Sequence, residues 1–453
     1  MNPADSRKTA LYILNKVSKG SSNLDRIMDD QETGLFLHMP RRDRALAHAL
    51  IYGVLRWRAK LDFNIESFAN RPVKKIKPEV LNILRIGLFQ MMFLSRIPQS
   101  AAVNTSVEMA KQVAPESMTG FVNALLRNFA RSPKPPPYPD FRTEPLKAIA
   151  ICQSFPQWLI SRWNKRFGFE ETRRLCEYLN EIPPVTIRVN LLKTTRNQAL
   201  EKLAPCVGSA EKARISQAGI ALYGMKKPVY ELPGFSDGLF QVQDEAAQLA
   251  AHVLSPKPGE IVLDACAGLG GKTGHIAQLM KNRGKVVAAD TDGLRLKALD
   301  SEMERLGVNI VETRCLDMEK SGVLQNTQSF DRILVDAPCS GLGVIRRNPD
   351  IKWSVGKNDF KRYHSRQERI LETSAKYLKP GGTIVYAVCS MEPEETDAVV
   401  EELCGKSKDF KVESIGTRST DPAVDPDKQG CLRLYPHRHN TDGFFIARIT
   451  RRL

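Results

Sequence analysis

The chain has 453 residues and a formal charge of +16; that length gives room for two or three domains, and the charge points to a polyanionic partner such as nucleic acid. No apolar run reaches the roughly 18 residues that a spanning helix needs, so a membrane segment is excluded. The nine cysteines form no C-x-x-C pair and have no histidine at ligand spacing, which argues against a metal site, and their odd number with no apolar leader points to reduced thiols in a cytoplasmic protein.

Residues 1–140 hold 21 Lys and Arg against 12 Asp and Glu, and the other 313 hold 46 against 39, so the amino-terminal third is the more basic part. Residues 1–132 are predicted to form an all-α bundle. Leu11, Leu14 and Val17 recur at helical spacing, as do Leu46, Leu50 and Val54, then Leu81, Leu84, Leu88 and Met92, then Phe121, Leu125 and Phe129. Breaks are expected at Pro40, Arg71-Pro72, Pro98 and Pro115. A proline-rich stretch marks a stiff linker over 133–144. Residues 145–235 read as a small α/β insert suited to RNA. It opens with a helix carrying Trp158, Leu159, Trp163 and Phe167, then has a strand over 184–190, a helix near 195–204 and a weak strand at 220–223.

From residue 236 to 453 strands and helices alternate. Strands are predicted at 261–264, 285–289, 309–313, 331–336, 382–388, 409–413 and 444–449, and helices at 272–281, 293–306, 359–378 and 394–404. Such alternation argues for a Rossmann-like parallel sheet covered on both faces. Its first turn, Asp264-Ala265-Cys266-Ala267-Gly268-Leu269-Gly270-Gly271-Lys272-Thr273, fits neither G-x-G-x-x-G nor the phosphate-binding G-x-x-x-x-G-K-[ST] spacing. Acids close three successive strands, at Asp264, Asp290 and Asp317. That placement suits S-adenosylmethionine, with ribose hydroxyls on Asp290 and an adenine amino group near Asp317. The candidate cofactor residues are therefore Cys266, Ala267, Gly268, Leu269, Gly270, Gly271, Lys272, Asp290, Arg295, Asp317 and Asp336.

Cys339 in Asp336-Ala337-Pro338-Cys339-Ser340-Gly341 and Cys389 in Val388-Cys389-Ser390 each follow a buried-strand pattern and precede a serine. Two thiols at the carboxyl ends of strands in one sheet face one crevice. The pair suits methylation of cytosine at C5. A thiolate adds to C6, C5 of the resulting enamine takes a methyl group, and loss of the C5 proton expels the sulfur. Asp336, protonated or sharing a proton with cytosine N3, would stabilise the adduct, and Lys272 would order the cluster. The other seven cysteines, Cys266 included, read as packing. The residues alone do not rank the two thiols as nucleophile.

These segments resemble the RsmB/Sun branch of the RNA cytosine-C5 methyltransferases over nearly the whole chain. Asp237-Gly238-Leu239-Phe240-Gln241-Val242-Gln243-Asp244-Glu245-Ala246-Ala247-Gln248, the glycine loop, both cysteine motifs and Asp442-Gly443-Phe444-Phe445 carry the likeness. The family usually has Ala-Pro where this chain has Gly268-Leu269, and often Thr where it has Val388. The resemblance implies that Cys389 attacks and Cys339 assists release. In DNA cytosine-C5 methyltransferases the Pro-Cys cysteine attacks instead, which would select Cys339. Asp43-Arg44-Ala45, Tyr52-Gly53-Val54-Leu55-Arg56 and Val122-Asn123-Ala124-Leu125-Leu126-Arg127 resemble the NusB fold, an RNA-binding bundle. Arg41, Arg42, Arg44, Arg56, Arg58, Lys74, Lys75 and Lys77 are candidate phosphate contacts. Together these imply a monomeric enzyme acting on cytosine 967 of 16S rRNA, free or in an early small-subunit assembly, with the base unstacked to reach the crevice. The competing expectations are the same chemistry on transfer RNA, and a non-catalytic antitermination or assembly factor.

Overall fold

The computed structural model of the protein describes residues 5–20, 24–28, 34, 36, 39–132, 136–324, 329–415, 426–427 and 429–453. Residues 133–135 of the expected linker lie outside them. The chain divides into two units, Met1–Glu181 with Ile345–Val355, and Ile182–Val344 with Gly356–Leu453. No helix among the described residues is long and apolar enough to cross a membrane.

The first unit is helical. Asp5 caps its first helix, Ser6–Ser18, by accepting from the Arg7 and Lys8 amides. Further helices span Arg41–Arg56, Arg58–Ala69, Pro78–Phe93, Gln99–Val113 and Glu116–Arg131, and the predicted prolines fall at or beside their ends. Pro78 opens the central helix where a missing N–H costs nothing. Every residue of that helix from Val80 to Gln90 is buried. Its one buried cation, Arg85, is matched by a two-pronged contact to Asp62, both bonds 2.7 Å. The tip of the Phe89 ring fills the space beside Gly53, where a Cβ would come within 2.0 Å of it; the glycine of the Tyr52-Gly53-Val54 segment is thus required by packing.

Helices Pro145–Cys152, Gln157–Phe167 and Phe169–Asn180 cluster with this bundle, whereas the sequence reading groups them with the small insert that follows. Residues Ile345–Val355 also pack here. Lys352 is fully buried and donates to the carbonyls of Arg56 and Ser154 and to Asn180 Oδ1 (2.6 Å), while the Trp353 indole donates to Leu55 O. Arg56 is consequently not a phosphate contact: it is buried and donates to the Arg346 carbonyl at 2.6 Å. Burial chiefly, with Arg346 beside it, pushes its guanidinium down to about 10. Arg58 is engaged by Asp62 and by the Trp353 ring. Arg41, Arg42, Lys74, Lys75 and Lys77 remain exposed.

The second unit holds two sheets. The smaller contains β1 (Val185–Val189), β2 (Ser209–Lys212), β3 (Gly219–Tyr223) and β4 (Phe240–Val242) in the order β2-β3-β1-β4, all antiparallel. Strand β2 has no alternating apolar pattern and β4 is only three residues long, and neither is expected from sequence. The larger sheet contains β5 (Ile261–Asp264), β6 (Lys285–Asp290), β7 (Val311–Cys315), β8 (Phe330–Asp336), β9 (Leu378–Val388), β10 (Phe410–Val412), β11 (Leu432–Leu434) and β12 (Phe444–Arg451). Its order is β10-β12-β9-β8-β5-β6-β7, with β11 against β12.

Strands β5 to β9 are parallel, with Leu263, Val287, Ile333 and Ile384 all fully buried. The last three strands are antiparallel, a departure from the all-parallel sheet expected. Strand β12 enters beside β9 with Phe445 opposite Val388, and a short return from β11 replaces a helical crossover. The chain order runs outward from β5 through β6 to β7, and on the other side through β8 to β9. The strand order therefore reverses between β5 and β8, where open α/β sheets take their ligands.

Candidate active site

Two parallel neighbours, β5 and β8, end in Asp264 and Asp336, and β9 ends beside β8 one residue before Cys389. The turn after β5 rises into helix Gly271–Leu279. Gly268 and Gly270 have φ of +54° and +82°, a region that L side chains rarely adopt. A Cβ on Gly270 would also meet Leu299 at 2.7 Å, while one on Gly268 would meet nothing within 4 Å. The loop is thus pressed against the protein at Gly270 and open at Gly268. Asp290 fixes that open end: one carboxylate oxygen accepts from Gly268 N at 2.9 Å and the other from Asp292 N at 2.9 Å.

Of the other candidate cofactor residues, Ala267 is held by its amide to Ala289 O, and Leu269 projects to solvent. Cys266 packs against the core, and burial first, then Asp264, drives its thiol well above the usual range. Asp317 stands two residues beyond β7, which is shifted by two residues from its predicted bounds, and caps its own turn through Glu319 N. Arg295 is exposed and faces Asp292 at 3.9 Å. Among these candidates the structure joins the glycine loop to Asp290 and Lys272 to Asp336, and it draws neither Arg295 nor Asp317 into direct contact with them.

Lys272 Nζ lies 2.6 Å from Asp336 Oδ2 and 5.3 Å from the centre of the Phe444 ring. Burial alone would lower the Lys272 ammonium; Asp336, with Cys389 and Asp264 adding, lifts it above its ordinary value. Asp264 is buried and accepts from Thr273 Oγ1 at 2.7 Å. Desolvation, only partly offset by that bond, pushes its carboxyl up to about 7.

The thiols of Cys339 and Cys389 are 3.2 Å apart. The hydrogen bond to Cys389, then burial, pushes the Cys339 thiol well above the usual range. The backbone beneath is close-packed. Gly343 N donates to Cys389 O at 3.0 Å, and Gly443 N donates to Gly343 O at 2.9 Å. A Cβ on Gly343 would fall 2.0 Å from Gly443 O and 2.9 Å from Cys389 O. The Asp442-Gly443-Phe444-Phe445 motif thus supports the floor under Cys389, and Phe444 covers Lys272.

Sequence reasoning missed two groups here. Glu395 sits in the turn after Cys389, fully buried, and is hydrogen-bonded to both Ser340 and Ser390. Arg188, from β1, is also fully buried. It donates to Gly271 O at 2.6 Å, to Gln241 Oε1 at 2.8 Å, to Gln243 and to Gln278, and burial pushes it down to about 9. It ties the small sheet to the first residue of the helix that follows the glycine loop. An isolated Arg in a strand pattern carries no signal of this. The only hint for Glu395 was an acid six residues after a reactive cysteine.

The family described as 16S rRNA methyltransferase RsmB/F matches residues 251–450. The NusB family matches 4–131, and the RsmF/B-like ferredoxin-like domain matches 155–228. A probable ribosomal RNA small subunit methyltransferase B of Bacillus subtilis is 37% identical over 408 residues, 90% of each chain. Its counterpart in Synechocystis is 34% identical over 98% of each chain. Among solved structures, that of PH0851 superposes with a TM-score of 0.81 at 26% identity over 98% of both chains. A methyltransferase homologue from Pyrococcus horikoshii gives 0.59 at 30% identity, covering 68% of this chain and 99% of that one.

Proposed function

Because the chain belongs to the 16S rRNA methyltransferase RsmB/F family, we propose that it methylates C5 of a cytosine in small-subunit ribosomal RNA, cytosine 967 in 16S rRNA, from S-adenosylmethionine. The observation that carries the chemistry is the 3.2 Å pair of thiols just past the ends of β8 and β9, beside a half-buried lysine–aspartate ion pair.

The residues fit the methyl donor. Gly268 leaves the loop open for close approach, and the Asp290 carboxylate is anchored at that opening. Gly268, Gly270, Gly271 and Asp290 would hold it, and its sulfonium supplies an electrophilic methyl group. The rest is the work of the side chains. Cys389 attacks C6, the role that likeness to the family implies for the later cysteine, with Cys339 3.2 Å away. The charge of Lys272 favours a thiolate near it and orients Asp336, whose carboxyl meets the N3 edge of the base. Methylation at C5 leaves a saturated C5–C6 bond. A base then removes the C5 proton, the pair forms C5=C6, and the C6–S bond breaks. The S–H of Cys339 is placed to hydrogen-bond the departing Cys389 thiolate. The exposed lysines of the helical unit, Lys74, Lys75 and Lys77, contact phosphates.

The test is incubation with labelled S-adenosylmethionine and unmodified 16S RNA, followed by bisulfite mapping. Transfer to one cytosine is expected. Cys389→Ala abolishes it with no RNA adduct, whereas Cys339→Ala retains RNA as a covalent adduct on a denaturing gel. Label on a nitrogen or ribose oxygen, or an adduct only with Cys389→Ala, would refute the assignment.

A further inference from the structure

We propose that Glu395 is the positioning residue that holds the two reactive cysteines in register, an inference that rests on the covalent chemistry proposed above. Its Oε2 accepts from Ser340 Oγ and from Ser390 Oγ, each at 2.5 Å. Its Oε1 accepts from Ser340 N at 2.7 Å and from Gln367 Nε2 at 3.3 Å. Ser340 directly follows Cys339 and Ser390 directly follows Cys389. One carboxylate therefore ties together the loops that carry the two thiols.

The clamp is itself held. Tyr386 OH donates to Glu395 O at 2.7 Å from inside β9. His364 Nδ1 faces Glu394 O at 2.8 Å and so carries the proton there. Gln367 also donates to Pro338 O at 2.9 Å, bracing the residue before Cys339. No cation pairs with Glu395 among the described residues, and burial, opposed by the serine and glutamine bonds, raises its carboxyl. A buried acid without a counter-ion is costly, and a purely structural bridge is made more cheaply by an amide. What an amide lacks is a second acceptor oxygen. Two hydroxyls converge on one oxygen of Glu395 and two N–H groups on the other, so an NH2 at either place would face donors.

Attack needs only Cys389 and the base in contact. Release needs Cys339 to stay beside Cys389 while the C6–S bond breaks. Loosening the clamp therefore slows release more than attack. With Glu395→Gln we expect S-adenosylmethionine affinity and the KM for RNA to stay within about twofold. We expect kcat to fall about 100-fold, the effect of displacing a reacting group by about 1 Å, and the RNA adduct to accumulate during turnover. Ser340→Ala and Ser390→Ala each remove one arm and should show smaller falls with the same accumulation. Added to Glu395→Gln they should cost little more. They also decide the matter if Glu395→Gln does not fold.

Unchanged kcat in Glu395→Gln would overturn the inference. So would a parallel loss of melting temperature, cofactor affinity and kcat with no adduct in Glu395→Gln and both serine variants, since that is a structural role. Cys339→Ala is run alongside. If it too gives no adduct, the covalent mechanism has failed; if it gives adduct while the Glu395 and serine variants do not, only the clamp has.

Discussion

Replacing Asp264 by asparagine should make the second unit more stable in alkali, and the size of the effect follows from the site. Asp264 is 1% exposed, and its carboxyl is pushed from an ordinary 3.8 up to about 7 by desolvation, against the Thr273 hydrogen bond. Its folded value lies above its unfolded one, so the folded state binds the extra proton between those limits. The stability linked to this group is fully present below about pH 4 and is lost as pH rises to about 7. Each tenfold change in acidity is worth about 1.4 kcal/mol, so the ionised group costs the fold about 4 kcal/mol above pH 7, of which roughly 2–3 kcal/mol is incurred between pH 5 and pH 8. Asparagine keeps an acceptor for Thr273 and cannot ionise. Urea unfolding read by pulse proteolysis, with fragments of the second unit assigned by mass spectrometry, should show wild type losing that 2–3 kcal/mol relative to Asp264→Asn between pH 5 and pH 8. Parallel pH curves for the two proteins would refute the reasoning, because they would mean that Asp264 does not change its ionisation on folding.

Lys272→Met should lower kcat about 100-fold, the usual loss for one preorganised charge at a reacting centre, with a smaller effect on the affinity for S-adenosylmethionine; single-turnover methyl transfer and cofactor titration separate the two. Its stability cost should stay near 1–3 kcal/mol, below that of a fully buried pair, because the Asp336 side chain retains 29% exposure. Arg188→Lys leaves several of its glutamine and carbonyl acceptors unmatched, and should weaken cofactor binding about tenfold at a cost of about 1–3 kcal/mol in stability, read by calorimetric titration and denaturant melts. Lys74→Ala, Lys75→Ala and Lys77→Ala combined should reduce the salt dependence of RNA binding by up to about three counter-ions while leaving cofactor affinity unchanged, and an unaltered salt slope would remove these lysines from the RNA interface.

The parts of this fold that were legible in the sequence are those whose local chemistry acts alone. The central sheet announced itself because β5, β6, β8 and β9 are buried on both faces and so read as unbroken apolar runs. Helix boundaries in the first unit were marked by Pro40, Pro72, Pro98 and Pro115, whose rings bar the preceding turn. What stayed hidden depends on partners distant in the chain. Strand β4 is three residues long and exists because β1 offers it an edge. The direction of β12 follows from its short connection to β11 and not from its own residues, which would suit either orientation. Lys352 and Arg56 look like surface charges, yet the segment Ile345–Val355 joins the bundle and buries both, Lys352 donating to Arg56 O and Arg56 to Arg346 O across some 290 residues of chain.

The site divides along the same line, and the division says what kind of residue a sequence motif records. Cys339, Cys389 and Asp336 occupy short segments in which a reactive type stands at or just past a strand end, and Lys272 opens the helix after the glycine loop, so position and chemistry are both visible at once. Glu395 and Arg188 act on backbone and on serines, not on a substrate, and their partners lie on other elements. Each is an ionisable group in the interior with no ion-pair partner among the described residues, and each is bonded to a residue next to a candidate site residue: Ser340 and Ser390 beside the thiols, Gly271 beside Lys272. A buried charge is retained against its desolvation cost only where its bonds do something a neutral group cannot. For Arg188 that is donating to four acceptors from one planar group; for Glu395 it is accepting on both oxygens at once, two hydroxyls on Oε2 and the Ser340 and Gln367 N–H groups on Oε1. In both, the charge holds separate elements together, β1 to the helix after the glycine loop for Arg188 and the two thiol-bearing loops for Glu395, and the chemistry proposed at the ends of β5, β8 and β9 rests on that spacing.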